Sequence, residues 1–185
     1  MRVILVHGYL APASLLSPLA WRLARSGFEP EIFDYPSRRP PFERHADALF
    51  DFVEQGARPV GLVGHSMGGL LLHAISSRSE SAHAAAQVFV ATPHAGSRWV
   101  RTFAIVPLLS ELVTAIRPSA RGVGRPSAGG KRGSLAARFD YMVARDEGRL
   151  PGADDHLELP YGHNDILLRA RSAALIARFL NAGHF

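Results

Sequence analysis

The feature that most restricts the fold is the hexapeptide Gly64-His65-Ser66-Met67-Gly68-Gly69, which follows the apolar run Val60 to Val63 and opens a helical stretch from Met67 to Ser79. A Gly-x-Ser-x-Gly at a strand-to-helix junction forces the serine backbone into a strained turn, so the residues on either side must be small, and Gly64 and Gly68 meet that demand. The turn lifts the Ser66 hydroxyl above the sheet edge and aims the helix N-terminus at it, where the backbone N–H of Met67 is free to meet a developing oxyanion. Ser66 is the candidate nucleophile; the competing reading is a helix-capping serine.

Such a junction calls for parallel strands joined by crossover helices, and short apolar runs alternate with longer amphipathic stretches along the chain. Strands are expected at Arg2 to Val6, Glu31 to Asp34, Val60 to Val63, Val88 to Ala91, Phe139 to Val143 and Leu157 to Leu159. Helices are expected at Ser14 to Ser26, Phe42 to Gln55, Met67 to Ser79 and Asp165 to Leu180. In the second helix Glu43, Asp47, Asp51 and Glu54 form a solvated row, leaving Phe42, Leu49, Phe50 and Val53 to face inward. Right-handed crossovers place helices on both faces, giving a three-layer α/β/α sandwich with a mostly parallel sheet of about six strands and its functional groups at the strands' carboxyl ends. A length of 185 residues allows one such domain, spanning residues 1–185.

With no cysteine, a disulfide scaffold, a thiol nucleophile and thiolate metal sites are excluded, and the chemistry falls to oxygen and nitrogen groups. No phosphate loop, nucleotide fingerprint or metal-ligand cluster is visible, so no cofactor and no metal is expected. Val3 to Val6 is too short for the apolar core of a secretion signal and reads as a buried strand, so a cytoplasmic location is expected. The net charge of +5 is uneven: between Arg98 and Leu135 seven Lys and Arg stand against Glu111 alone, leaving about −1 for the rest. The basicity therefore belongs to one segment, 98–135, and nucleic acid is not expected as a partner. Pro118 to Gly133 has the composition of a mobile surface loop.

His7-Gly8-Tyr9, after the first strand, suits a second oxyanion wall, with Gly8 turning the chain and the N–H of Tyr9 meeting that of Met67. His7 itself is read as shaping the turn. Ser66 needs an imidazole to take its proton, and His163 fits best, after the last strand and Pro160-Tyr161-Gly162 and before the final helix. His94, after the strand following Ser66, is a pocket residue and a weaker base, whereas His45, His83, His156 and His184 are explained by surface solvation. An acid is expected just after Phe139 to Val143, where Asp146 and Glu147 stand, with Asp154 and Asp155 further on.

His7-Gly8-Tyr9, Gly64 to Gly69, Thr92-Pro93-His94-Ala95-Gly96-Ser97 and the stretch from Gly162-His163 to Phe185 together resemble, in order, the small bacterial lipase-like members of the α/β-hydrolase superfamily. The resemblance covers nearly the whole chain. It implies an esterase or lipase working through an acyl-enzyme, and laying Glu147-Gly148-Arg149-Leu150 on the family's acid-glycine pattern ranks Glu147 first as the acid and Asp146 second, although most members have Asp there. The segment 98–135 stands where such enzymes carry a cap. Trp99 and Phe103, with Ile105, Leu108, Leu109, Leu112 and Ile116, would then line the substrate pocket or meet a lipid surface, with the arginines on anionic head groups. The plainer reading of the same segment is a packed crossover helix and a solvated loop. The substrate would be a small-molecule or lipid ester. The alternatives are acyl transfer by the same residues, a non-catalytic relative that binds a ligand, and a membrane-binding protein.

Overall fold

The computed structural model describes residues 1–39, 41–56, 59–76, 84–98 and 130–185. Six strands form one sheet: β1 (Arg2–Val6), β2 (Glu29–Phe33), β3 (Val60–His65), β4 (Ala84–Val90), β5 (Lys131–Ala137) and β6 (Asp155–Leu159). Their order is β2-β1-β3-β4-β5-β6, and every neighbouring pair is parallel. The helices are α1 (Ser17–Arg25), entered through a 3-10 turn at Ala13–Leu16, then α2 (Phe42–Glu54), α3 (Met67–Ser76), α4 (Asp165–Leu168) and α5 (Ala170–Ala182).

Strand alternation divides the core in two. In β1, all of it buried, Val3 and Leu5 join Leu19 and Leu23 of α1 and Ile176 and Phe179 of α5, while Ile4 and Val6 face Leu49 and Val53 of α2 and Leu71 and Ile75 of α3. The distribution follows from handedness. The chain leaves β1 for β2 in one direction and then moves in the opposite direction through β3, β4, β5 and β6, so right-handed crossovers put α1 on one face and α2 and α3 on the other. The reversal lies between β1 and β3. Their carboxyl ends, carrying His7-Gly8-Tyr9 and His65-Ser66, therefore flank the crevice where an open parallel sheet places its ligands.

The expected architecture and five of its strands are present, with β2, β4 and β6 beginning earlier in the chain than expected. The strand expected at Phe139 to Val143 is not formed. β5 lies at Lys131–Ala137, and Phe139 and Tyr141 are 67% and 69% exposed beyond its end. Aromatic and β-branched residues suggested a strand at the later position, whereas Lys-Arg-Gly-Ser-Leu-Ala-Ala carries little β-propensity and is selected by its fit against neighbours. A Cβ at Gly133 would stand 2.6 Å from the Phe179 ring, so only glycine lets α5 close on the sheet, and Ser134 Oγ is satisfied by the Gly148 carbonyl at 3.2 Å. The expected terminal helix is two helices, because Arg169 is extended (φ −87°, ψ 133°). Lys131 to Leu135 of the basic segment belong to β5, and Arg98 and Gly130 flank residues 99–129 of the expected cap, which lie outside the described residues, as do Ser79 and His83. No helix among the described residues is long and apolar enough to cross a membrane.

Two histidines expected on the surface are not there. His45 is buried and donates from Nε2 to the Arg39 carbonyl at 2.5 Å, and His156 is half-buried. A further histidine pair joins α3 to the end of β4: His73 stacks on Phe89 with ring centroids 4.4 Å apart, and its Nε2 lies 2.7 Å from His94 Nδ1. Burial, then the charge of Arg132, pushes His73 down to about 3, and burial first, then His73, holds His94 well below the ordinary imidazole range. In the unfolded chain such groups take up protons below about pH 6.5, whereas folded His73 does so only near 3, so stability is complete above that range and falls as pH drops from about 6.5 toward 3. Each such histidine adds a slope of about 1.4 kcal/mol per pH unit in this window. Urea titrations between pH 7 and 4 should show the loss, and His73→Gln, which keeps a donor for His94, should make it shallower; an unaltered slope would show that His73 does not titrate on unfolding.

Candidate active site

Ser66 stands between β3 and α3 with φ +54°, the strained conformation expected from its glycine neighbours. The space it needs is narrow. A Cβ on Gly64 would come within 2.6 Å of Gly69 Cα, and one on Gly68 within 2.2 Å of the Val6 carbonyl oxygen, so any other residue at either position would drive β3, α3 and β1 apart. The Ser66 amide donates to the Val90 carbonyl at 2.9 Å, which continues the β4 ladder up to the turn, and Met67 opens α3, whose first amides have no acceptor within the helix. Ser66 is itself half-buried.

From β1, Gly8 passes directly beside Ser66, and a Cβ there would lie 3.0 Å from the serine Cβ. Gly8 is needed for this close approach and has no positive φ; the left-handed residue of the turn is Leu10, at φ 58°. The expected reason for the glycine is thus replaced by another. His7 shapes the turn as expected: it is buried, with Nδ1 2.9 Å from the Gly8 carbonyl, Nε2 3.4 Å from the Tyr35 amide, and its ring stacked on Tyr35 at 4.4 Å. The Tyr35 hydroxyl donates to the His7 carbonyl at 2.9 Å, which fixes the residue preceding Gly8-Tyr9.

His163 follows β6 on the loop before α4, 3% exposed, and its Nδ1 lies 2.7 Å from Oδ2 of Asp140, a side chain 2% exposed. A carboxylate only accepts, so Nδ1 carries the proton and Nε2 presents its lone pair. The other Asp140 oxygen, Oδ1, accepts from the amides of Met142 at 2.8 Å and Val143 at 2.9 Å, an Asx turn that leaves the carboxylate little freedom. The loops carrying the two residues are bonded together: Phe139 N donates to the Tyr161 carbonyl at 3.0 Å and Arg138 N to the Leu159 carbonyl at 2.8 Å.

His65 links this pair to Ser66. Its Nε2 donates to the His163 carbonyl at 2.9 Å and the two rings pack with centroids 4.8 Å apart, so the residue just before the serine holds the loop of the second histidine. Burial, reinforced by His163, lowers His65 to about 3, and it is neutral under all ordinary conditions. Its Nδ1, which accepts no hydrogen bond among the described residues, faces Gly8: a Cβ there would lie 3.2 Å away.

The two carboxylates expected to serve His163 stand elsewhere. Glu147 is buried with Oε1 accepting from the Arg98 amide at 2.7 Å and Oε2 from the Ala144 amide at 2.9 Å, and its carbonyl accepts from Ala95 at 3.2 Å. It fastens the loop after β4 to the loop after β5. Asp146 is exposed and paired with Arg98 at 2.6 Å. The misplaced strand explains the error: counted from Phe139 to Val143 the first acids are Asp146 and Glu147, whereas counted from the true end at Ala137 the first is Asp140. A carboxylate inside the apolar run Phe139-Asp140-Tyr141-Met142-Val143 was the available signal. His94 has one ring nitrogen taken by His73, while Nε2 is buried and has no hydrogen-bond partner among the described residues. Trp99 and Phe103 lie outside the described residues, which also contain no group of three His, Asp or Glu able to hold a metal.

In structure the chain is similar to a metagenomic carboxyl esterase, MGS0156 (TM-score 0.77, 20% identity, covering 97% of this chain and 75% of that one). It is also similar to the mature Bacillus licheniformis lipase BlEst2 (TM-score 0.75, 17% identity, 97% and 91% covered) and to the ydeN gene product of B. subtilis (TM-score 0.70, 21% identity, 88% and 87% covered). No curated protein matches it in sequence. The model of the Alpha/beta hydrolase family matches residues 3–183, in keeping with the parallel sheet, the strained serine after β3 and the histidine after β6, and the chain belongs to that family.

Proposed function

We propose that this protein is a serine hydrolase cleaving carboxylic esters, with Ser66 as nucleophile, His163 as general base and acid, and Asp140 as the carboxylate that orients the imidazole. The observation that carries this reading is the buried bond from His163 Nδ1 to Asp140 Oδ2, made on loops at the same sheet edge as a serine with φ +54°. It is supported by the esterase and lipase named among the structural neighbours.

In this mechanism the Ser66 hydroxyl oxygen attacks the ester carbonyl as its proton passes to His163 Nε2. The carbonyl oxygen becomes an oxyanion held by the amides of Tyr9 and Met67, the latter favoured by its position at the start of α3. Collapse returns the proton from Nε2 to the departing alcohol and leaves Ser66 acylated. Water then attacks the acyl-enzyme, giving its proton to the same nitrogen; the acyl–oxygen bond breaks, the acid leaves, and Nε2 returns the proton to the Ser66 oxygen. Asp140, ionised and held by two backbone amides, stabilises the imidazolium without taking its proton. The neutral ring of His65 adds no positive charge against that imidazolium.

Ser66→Ala and His163→Ala should each lower turnover of a chromogenic ester by about 10⁴-fold, and Ser66→Ala should abolish labelling by a fluorophosphonate. Asp140→Asn should cost about 10³- to 10⁴-fold in kcat, because an amide donor stabilises the wrong imidazole tautomer. Glu147→Gln should lower stability by about 1–2 kcal/mol and change kcat by less than tenfold; the reverse ranking of the two carboxylates would transfer the role to Glu147.

His65 should act as a positioning residue. His65→Phe, which keeps a ring but removes the donor to the His163 carbonyl, should lower kcat by about 10- to 100-fold with KM little changed, and His65→Gln should restore part of it. Equal losses in kcat and KM, or no rescue by Gln, would leave His65 with a packing role only.

A further inference from the structure

A cleft of about 470 Å³ opens beside the β1 turn, lined by Leu10, Ala11, Pro12, Tyr35, Pro36, Ser37, Arg38 and Arg39. It begins one residue beyond Tyr9, about 4 Å along the chain from the amide assigned to the oxyanion. Its floor is stiff and joined to that turn, because buried Tyr35 stacks on His7 and donates to the His7 carbonyl. Its rim is pinned as well: Arg39 N donates to the Pro36 carbonyl at 2.8 Å, Ser37 N to the Tyr35 carbonyl at 2.7 Å, and His45 Nε2 to the Arg39 carbonyl at 2.5 Å.

The apolar side chains of Leu10, Pro12 and Pro36 thus share the cleft with two exposed arginines, and neither arginine forms an ion pair among the described residues. Asp34, close by in sequence, is 3.4 Å from His7 Nε2. Arg38 already acts on the active-site turn: burial raises the Tyr9 hydroxyl above its ordinary value, and the Arg38 charge works against that rise. Two exposed arginines on a pinned turn, forming no ion pair among the described residues and standing beside apolar walls, are suited to an anion at the end of a short carbon chain, since guanidinium groups bind carboxylate and phosphate through paired N–H donors.

We infer that the ester substrates of this protein carry an anionic group, held in this cleft by Arg38 and Arg39 while the ester carbonyl lies at Ser66. The inference rests on the esterase reading and narrows its substrate class.

The test compares mono-4-nitrophenyl glutarate with its neutral methyl ester, 4-nitrophenyl methyl glutarate, which has the same chain between the two ends. Wild-type protein should favour the carboxylate by at least tenfold in kcat/KM. Arg38→Gln with Arg39→Gln should lower that ratio at least tenfold, chiefly through KM, and Arg38→Lys with Arg39→Lys should retain part of it. A ratio near one in the wild type, or one unmoved by the glutamine pair, would overturn the inference. Calorimetric titration of Ser66→Ala with both esters separates it from the function on which it rests: arginine-dependent binding of the carboxylate ester supports the cleft even if wild type turns over neither ester. Turnover of the methyl ester with no carboxylate preference in rate or binding refutes the cleft and leaves the esterase standing.

Discussion

The close approach of β1, β3 and α3 around Ser66 is the constraint on which the rest of the site depends. Parallel strands neighbour at about 4.8 Å, and a helix springing directly from one of them has no room for side chains at its base. Gly64 and Gly68 give that room, with Gly69 Cα and the Val6 carbonyl standing where their Cβ atoms would be. Once β1 is this near, its exit must pass Ser66, and Gly8 does so at a separation where a Cβ would crowd the serine, 3.0 Å from its own Cβ. The strained φ of Ser66 costs on the order of 1–3 kcal/mol and is over-determined by this packing rather than by any one bond. The strain is useful because it holds the hydroxyl off the sheet with no flexible segment between Ser66 and the core.

The second half of the site, from β5 and β6, is built mainly from hydrogen bonds, and the two halves meet through His65. Asp140 has both oxygens occupied, His163 has one nitrogen committed, and their loops share two backbone bonds, so each member's geometry is set by the next. A buried carboxylate without such partners would bear a large desolvation cost; here three donors meet it. Glu147 solves the same problem with the Arg98 and Ala144 amides and the Arg98 guanidinium at 3.2 Å, and the result is a tie between two loops. The difference between the two acids lies in which loop each can reach, and both are satisfied where they are.

Much of this was legible in the chain. Ser66, Met67, Tyr9 and His163 were placed by motif and by order, because a strand-turn-helix with glycines at fixed offsets has few physical solutions. The α2 pattern was largely clear, since Leu49 and Val53 are buried while Glu43, Asp47 and Asp51 are exposed, although Glu54, expected in the same solvated row, is half-buried at the helix end. Asp140 was not legible, for a tertiary reason: β5 is a strand because Gly133 admits Phe179 and Ala136 and Ala137 fit between neighbours, whereas the segment with stronger β-propensity lies one turn later and exposes its aromatics. Displacing a strand by a few residues moved every residue assigned to its end. His45 escaped for a similar reason, since only the fold brings the Arg39 carbonyl to it.

Charge shows how composition and structure part company. By sequence the basicity gathers in 98–135, but within the described part of that segment the charges have local duties: Arg98 meets Asp146 and Glu147, Lys131 lies 3.6 Å from Asp154, and Arg132 is buried against the Gly152 carbonyl. An arginine already paired with a carboxylate has little field left for a ligand, since the opposite charges cancel within a Debye length of about 10 Å. Arg38 and Arg39 belong to a part of the chain that is unremarkable in composition, yet they stand on a pinned turn at the rim of a cleft and keep their charge. Where a protein attracts an anion depends on which cations remain uncompensated after folding, and among the described residues Arg38 and Arg39 are two such cations that line a cleft beside the turn that ends in Tyr9.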